Sequence, residues 1–279
     1  MKSRFFVSAL IGTSFFGAAA IKAAESGPMP NPRLDDVTSL SGFSASTGVA
    51  YWQGDFGLPT RSNLLVVPLS LKYDFGDLRV WGTLPYMRVE SDALLFAGTD
   101  GGPIEAGAAI SPGQARVRDG LADLTLGGTW SLTRSAEDGF DVDVTTRVKL
   151  PTASNDSGLS TGKTDVTLAA DIAKPIGGIV PYVSAGYRFL GDPDGFDLNN
   201  TLHLAGGFSV PLGERGDTVA LLAYEYDESP SRLVDDGHEL FSAVSGSIND
   251  RFSWTGYGSV GLNEGASDFA LGLLLTAAF

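Results

Sequence analysis

The chain has no cysteine, only two histidines, and fewer basic than acidic residues. Without cysteine, disulfides, thiolate metal sites and thiol nucleophiles are excluded, so stability must come from backbone pairing and burial. The imbalance of 19 Lys and Arg against 33 Asp and Glu leaves a net charge of −14. That charge argues against a nucleic-acid partner, which would need basic stripes to neutralise phosphates. Hydrated acidic loops explain the excess without a specific cation site. Beyond residue 24, no stretch reaches the ~18–20 uninterrupted apolar residues of a transmembrane helix.

What the chain does contain points outward from the cytoplasm. Lys2 and Arg4 precede an apolar run from Phe5 to Ala20, followed by small residues at Ala23 and Ala24, the layout of a secretory signal peptide. The expected organisation is a signal peptide at 1–24, a proline-containing periplasmic segment at 25–42, and one domain at 43–279. Thirty-six glycines and many β-branched residues in alternating runs indicate an all-β domain. The closing residues alternate so that Phe269, Leu271, Leu273, Leu275, Ala277 and Phe279 share one face. A secreted chain ending in such a strand suits an outer-membrane barrel, with Phe279 as the signal read by the barrel-assembly machinery.

Twelve runs are long enough to cross a bilayer as tilted strands, which takes about 9–11 residues. They are Phe43 to Gln53, Leu64 to Asp74, Leu78 to Glu90, Gly120 to Thr133, Phe140 to Pro151, Thr164 to Lys174, Ile179 to Leu190, Asn200 to Pro211, Thr218 to Asp227, Glu239 to Ile248, Phe252 to Leu262 and Asp268 to Phe279. Short and long connections alternate between them. Short turns belong on the periplasmic side of such barrels and long loops outside, which puts both termini in the periplasm. The expected fold is therefore an all-β, transmembrane, antiparallel up-and-down barrel of about 12 strands, closed by pairing of the last strand with the first. Pro68, Pro85 and Pro181 fall inside these runs, where a missing N–H breaks a ladder or marks a bulge. Tyr51, Tyr73, Tyr86, Tyr187, Phe189, Tyr224, Tyr226, Phe252 and Trp254 lie toward strand ends, as an interfacial girdle requires.

A membrane barrel turns its apolar face to lipid and its polar face inward. Alternation then assigns Lys72, Arg79, Asp123, Asp141, Asp143, Arg147, Lys149, Asp165, Asp171 and Arg188 to the lumen, either guiding a solute or neutralising one another. The segment Ser91 to Asp119, glycine-rich and carrying Leu94, Leu95 and Phe96, is a candidate loop for the mouth. His203 reads as lumenal and His238 as near an external loop, so a surface hydrolase remains an alternative. Asp192, Asp194 and Asp197 form an acidic turn that lacks the closing glutamate of an EF-hand, and Ser160 to Lys163 lacks the upstream glycine of a phosphate loop. No catalytic residue, cofactor site or metal site is assigned.

The blocks Gly120-Leu-Ala-Asp-Leu-Thr-Leu-Gly-Gly-Thr-Trp, Arg147-Val-Lys-Leu-Pro-Thr152, Leu159-Ser-Thr-Gly-Lys-Thr-Asp-Val166 and Ala185-Gly-Tyr-Arg188, in this order, resemble a family of outer-membrane transporters named for the meta-cleavage pathway of phenol degradation. The resemblance extends over about residues 43 to 279. It implies a barrel engaged in uptake of aromatic or other hydrophobic molecules and brings no catalytic motif. The resulting expectation is a passive channel in outer-membrane lipid for small hydrophobic molecules, aromatic ones among them, working as a monomer rather than a trimer. A closed structural or adhesive barrel is the alternative within the same fold.

Overall fold

The computed structural model describes residues 41–56, 61–97, 103–109, 116–133, 139–154, 157–192, 198–212, 218–232 and 234–279. The expected signal peptide and residues 25–40 lie outside them. Fifteen strands appear in chain order: β1 (Ser41–Gly54), β2 (Ser62–Phe75), β3 (Leu78–Ser91), β4 (Ala93–Ala97), β5 (Pro103–Ala109), β6 (Arg116–Leu121), β7 (Leu124–Thr133), β8 (Asp141–Leu150), β9 (Asp165–Ala173), β10 (Val180–Phe189), β11 (Thr201–Leu212), β12 (Thr218–Asp227), β13 (Gly237–Ser247), β14 (Phe252–Gly261) and β15 (Phe269–Ala278).

All pairings are antiparallel between neighbours, and β1 pairs with both β2 and β15, so the sheet closes on itself. The β6 and β7 strands lie end to end beside β3, giving a barrel of twelve staves. The expected closure is present in detail: Ser44 faces Ala278, Gln53 faces Phe269, and the Phe279 N–H donates to the Phe43 carbonyl at 2.9 Å. Among the described residues, closure leaves a free edge only along β6, which pairs with β3 alone, and on the β4–β5 hairpin. Paired edges are the condition for β-structure in lipid, where an unpaired backbone group has no water to turn to.

Residues of one stave alternate strictly between faces. In β2, Val67, Leu69, Leu71 and Tyr73 are exposed on the outer surface, while Ser70 and Lys72 are buried inside. Across the seam, Leu271, Leu273 and Leu275 point outward, and Ala270, Leu274 and Thr276 point inward. The girdle residues Tyr73, Tyr86, Tyr187, Phe189, Tyr224 and Phe252 are exposed. Both described ends of the wall, Ser41 and Phe279, stand at the short-turn end.

Two expectations about the chain between β3 and β8 need correction. The run Gly120 to Thr133 is not one strand: the stave begins earlier, at Arg116, and is interrupted at Ala122 and Asp123. The segment Ser91 to Asp119 is correspondingly shorter as a connection and contains its own hairpin, β4 paired with β5. The interruption has a cause on the neighbouring strand. Pro85 of β3 faces this point and has no N–H to donate; its carbonyl alone accepts, from the Ala122 N–H at 2.9 Å. Register passes from Tyr86↔Leu121 to Thr83↔Thr125, so three residues of the interrupted stave oppose two of β3. That extra residue is a bulge. It leaves Ala122 and Asp123 both buried, where strict alternation would have sent one to lipid. Strands run straight through Pro68, which faces Pro85, and through Pro181, which faces Phe208.

Glycine inside the staves makes room for large lumenal rings. A Cβ on Gly127 would come within 2.3 Å of the Trp81 ring, and one on Gly272 within 2.0 Å of Tyr257. The aromatic side chains therefore lie flat over glycine against the inner wall.

Candidate functional site

The ten charged residues assigned to the lumen all sit on inner faces. Lys72, Asp123, Arg147, Lys149, Asp165, Asp171 and Arg188 are buried, and Arg79, Asp141 and Asp143 are half-buried. They occupy β2, β3 and the run from the bulge through β10, so one side of the barrel interior is a charged wall. At the short-turn end, Asp74 accepts from Arg79 Nε at 2.7 Å and lies 3.7 Å from Lys72 Nζ. Farther up, Asp143 faces Asp171 across β8 and β9, Thr129 and Thr145 share a hydrogen bond at 2.9 Å, and the Arg147 guanidinium lies 5.9 Å from the Trp81 ring centre.

The most enclosed group is at the long-loop end. Lys149 Nζ lies 2.7 Å from Asp165 and 3.4 Å from Asp123, with all three side chains fully shielded from solvent. The lysine also donates to Thr161 Oγ1 at 3.2 Å. Each carboxylate holds a loop in turn. Asp123 accepts from the Ala153 N–H at 3.0 Å and from Ser160 Oγ at 2.6 Å; Asp165 accepts from the Gly191 N–H at 3.0 Å. The bulge makes this arrangement possible by aiming Asp123 inward beside β8.

Apolar side chains share the interior with these charges. On β1, β2 and β3, Trp52, Leu64, Val66, Met87 and Val89 are buried toward the long-loop end, and Ala122 and Leu159 join them. Leu221, Phe241, Tyr257 and Leu274 carry the apolar surface along β12 to β15. Sequence reading passed over these residues by treating the inner face as uniformly polar. The signal was present: Leu64 and Val66 are in phase with Lys72 along β2, so the parity that put the lysine inside puts them there too. Leu159 had no such signal, because it lies in a loop. Leu94, Leu95 and Phe96 are in β4, but their side chains lie outside the described residues.

The histidines do not assemble one reactive site. His203 Nδ1 faces Asp227 at 3.0 Å inside the barrel, beside the lumenal pair Glu225 and Glu239, whereas His238 Nδ1 meets the Tyr224 hydroxyl at 2.6 Å on the other side of the wall. Glu239 accepts a hydrogen bond from Ser267. No group of three or more potential metal ligands converges among the described residues; Asp192 caps the Leu198 N–H at 2.9 Å, and Asp194 and Asp197 lie outside that set.

Residues 75–279 match the family model described as "Putative MetA-pathway of phenol degradation". The chain belongs to this family. It is an outer-membrane β-barrel of the kind seen in an outer membrane channel from Pseudomonas putida, which superposes with a TM-score of 0.67 at 15% identity, over 90% of this chain and 100% of that one. Such identity speaks for the fold alone. A monoaromatic hydrocarbon channel, CymD, aligns more loosely, with a TM-score of 0.46 at 13% identity over 86% of this chain and 88% of its own, which is too loose to carry an argument. No curated protein matches the chain in sequence.

Proposed function

We propose that this barrel is a narrow, passive channel for uptake of small hydrophobic molecules, simple aromatics among them. It acts as a monomer, with the termini and short turns in the periplasm and the long loops outside. The observation that carries this reading is the apolar cluster of the interior, above all Trp52, Leu64, Val66, Met87 and Val89 near the outer mouth. A channel for hydrophilic solutes gains nothing from such a lining. A simple aromatic that transfers about 150 Å² from water to such a surface gains about 4 kcal/mol at ~25 cal/mol/Å². The family match points in the same direction. The charged wall has two uses in this reading: its members neutralise one another, and they keep the remaining interior hydrated enough to exclude lipid.

The decisive experiment is uptake. Cells with and without the protein are given a panel of aromatic and aliphatic compounds, and intracellular accumulation is followed. Faster entry of the small aromatics, with little change for sugars of similar size, is expected. Equal entry of every compound with and without folded protein would end the proposal. A closed structural barrel is the second reading, favoured by the complete shielding of Lys149 and Leu159, both at 0% exposure. Purified protein in planar bilayers separates the two, because a closed barrel carries neither current nor solute.

A further inference from the structure

We propose that residues 157–164 are a displaceable stopper, in which Leu159 occupies the first lumenal seat of the apolar substrate and is expelled when substrate arrives. The idea rests on the uptake function proposed above and assigns that function a binding site. Leu159 belongs to no strand, yet it is fully buried within the apolar cluster that includes Met87, Val89 and Ala122. Its seat is built at Gly120, which faces Met87 across the ladder. Gly120 has φ +152°, and a Cβ added there would lie 3.9 Å from Leu159 Cδ1. A seat without a side chain of its own, filled by a side chain from a loop, accepts any apolar group of similar size.

The way the segment is held suits release. Gly158 and Gly162, at φ +64° and +70°, bracket Leu159 and turn the chain sharply on either side. The contacts to the wall are made through side chains. Arg118 Nη1 donates to the Gly158 carbonyl at 2.9 Å, Ser160 Oγ donates to Asp123, and Lys149 donates to Thr161. Within the segment, Ser157, Ser160 and Thr161 accept from the N–H groups of Leu159, Gly162 and Lys163, so the turn keeps its shape if the wall contacts break. An arriving hydrophobic molecule replaces the burial that Leu159 supplies, and the contacts to Asp123 and Lys149 open to water as the segment leaves.

The absence of cysteine allows a direct test. The full-length protein carrying Leu159→Cys is folded into lipid vesicles, and the rate of reaction with a water-soluble methanethiosulfonate is measured with and without toluene. Toluene binds only where the stopper has left, so the accessible fraction rises as one plus the ratio of toluene to its dissociation constant. At about ten times that constant the rate increases about tenfold. Adding Asp123→Asn frees the latch, and that double variant reacts fast without toluene. Should Leu159→Cys fail to fold, Thr161→Cys in the same segment serves as the reporter. A rate that toluene leaves unchanged, or slows, overturns the stopper. If cells still take up toluene in that case, the channel stands and only the stopper falls; acceleration without any uptake would instead sink the channel and leave the site.

Discussion

Replacing Lys149 by methionine tests whether the enclosed charge group organises the long-loop end of the barrel. The ammonium lies 2.7 Å from Asp165 and 3.4 Å from Asp123, and none of the three side chains reaches solvent. At an effective dielectric constant of ~20, the two attractions amount to about 6 and 5 kcal/mol. Desolvation offsets much of this in the intact cluster. Methionine matches the length of the stem but leaves two like charges buried without their cation. Each acid keeps partners, Asp123 the Ala153 N–H and Ser160, Asp165 the Gly191 N–H, so the loss is limited to that of breaking one buried pair. The expected destabilisation is about 3–5 kcal/mol. Urea titration in lipid vesicles, followed by tryptophan fluorescence and by heat-dependent gel mobility, measures it. Adding Asp123→Asn and Asp165→Asn to Lys149→Met should restore all but ~1–2 kcal/mol, because neutral amides no longer need the cation. A single variant that loses less than ~1 kcal/mol, or a triple variant less stable than the single, would refute the reasoning.

Other expectations follow from local geometry. Gly127→Ala should destabilise by about 1–3 kcal/mol through overlap with the Trp81 ring, and a double-mutant cycle with Trp81→Leu should show strong coupling between the two sites; additive losses would count against the packing described. Met87→Gln places an amide on the apolar side near Leu159 and should slow toluene uptake about tenfold, equivalent to ~1.4 kcal/mol, with heat-modifiable folding intact; unaltered uptake would remove that face from the route. Deleting Phe279 removes its hydrogen bond to Phe43 and a ring contact at 5.8 Å across the closing seam. Less protein should reach the membrane, while each inserted molecule transports as before; normal insertion levels would contradict the role given to the terminal residue.

The legibility of the structure followed the range of the forces involved. Period-two alternation is local, so the faces of β8, with Asp141, Asp143, Arg147 and Lys149 inside, could be read directly from sequence. The bulge was not legible, since its cause, Pro85, lies on a different strand from the residues it displaces, Ala122 and Asp123. For the same reason the run from Gly120 to Thr133 looked continuous. The apolar sector was missed through an assumption, that lumenal means polar, which Leu64 and Val66 contradict while obeying the same alternation as Lys72. Leu159 was beyond any periodic reading, because a loop residue is placed by what it packs against.

By itself, the sequence determined a twelve-stave wall closed by its last strand against its first, and it determined which face of each stave meets lipid. Those properties follow from alternation and connection length, because lipid tolerates only strands whose backbone groups are all paired. Tertiary structure decided what happens inside. Registers set by closure bring Asp123, Lys149 and Asp165 from three staves to one point, and they bring Leu159 over Gly120. Attraction between buried charges and the packing of apolar groups depend on distances of a few ångströms between neighbouring staves and loops. The closed barrel sets those distances, and residue order along the chain does not contain them.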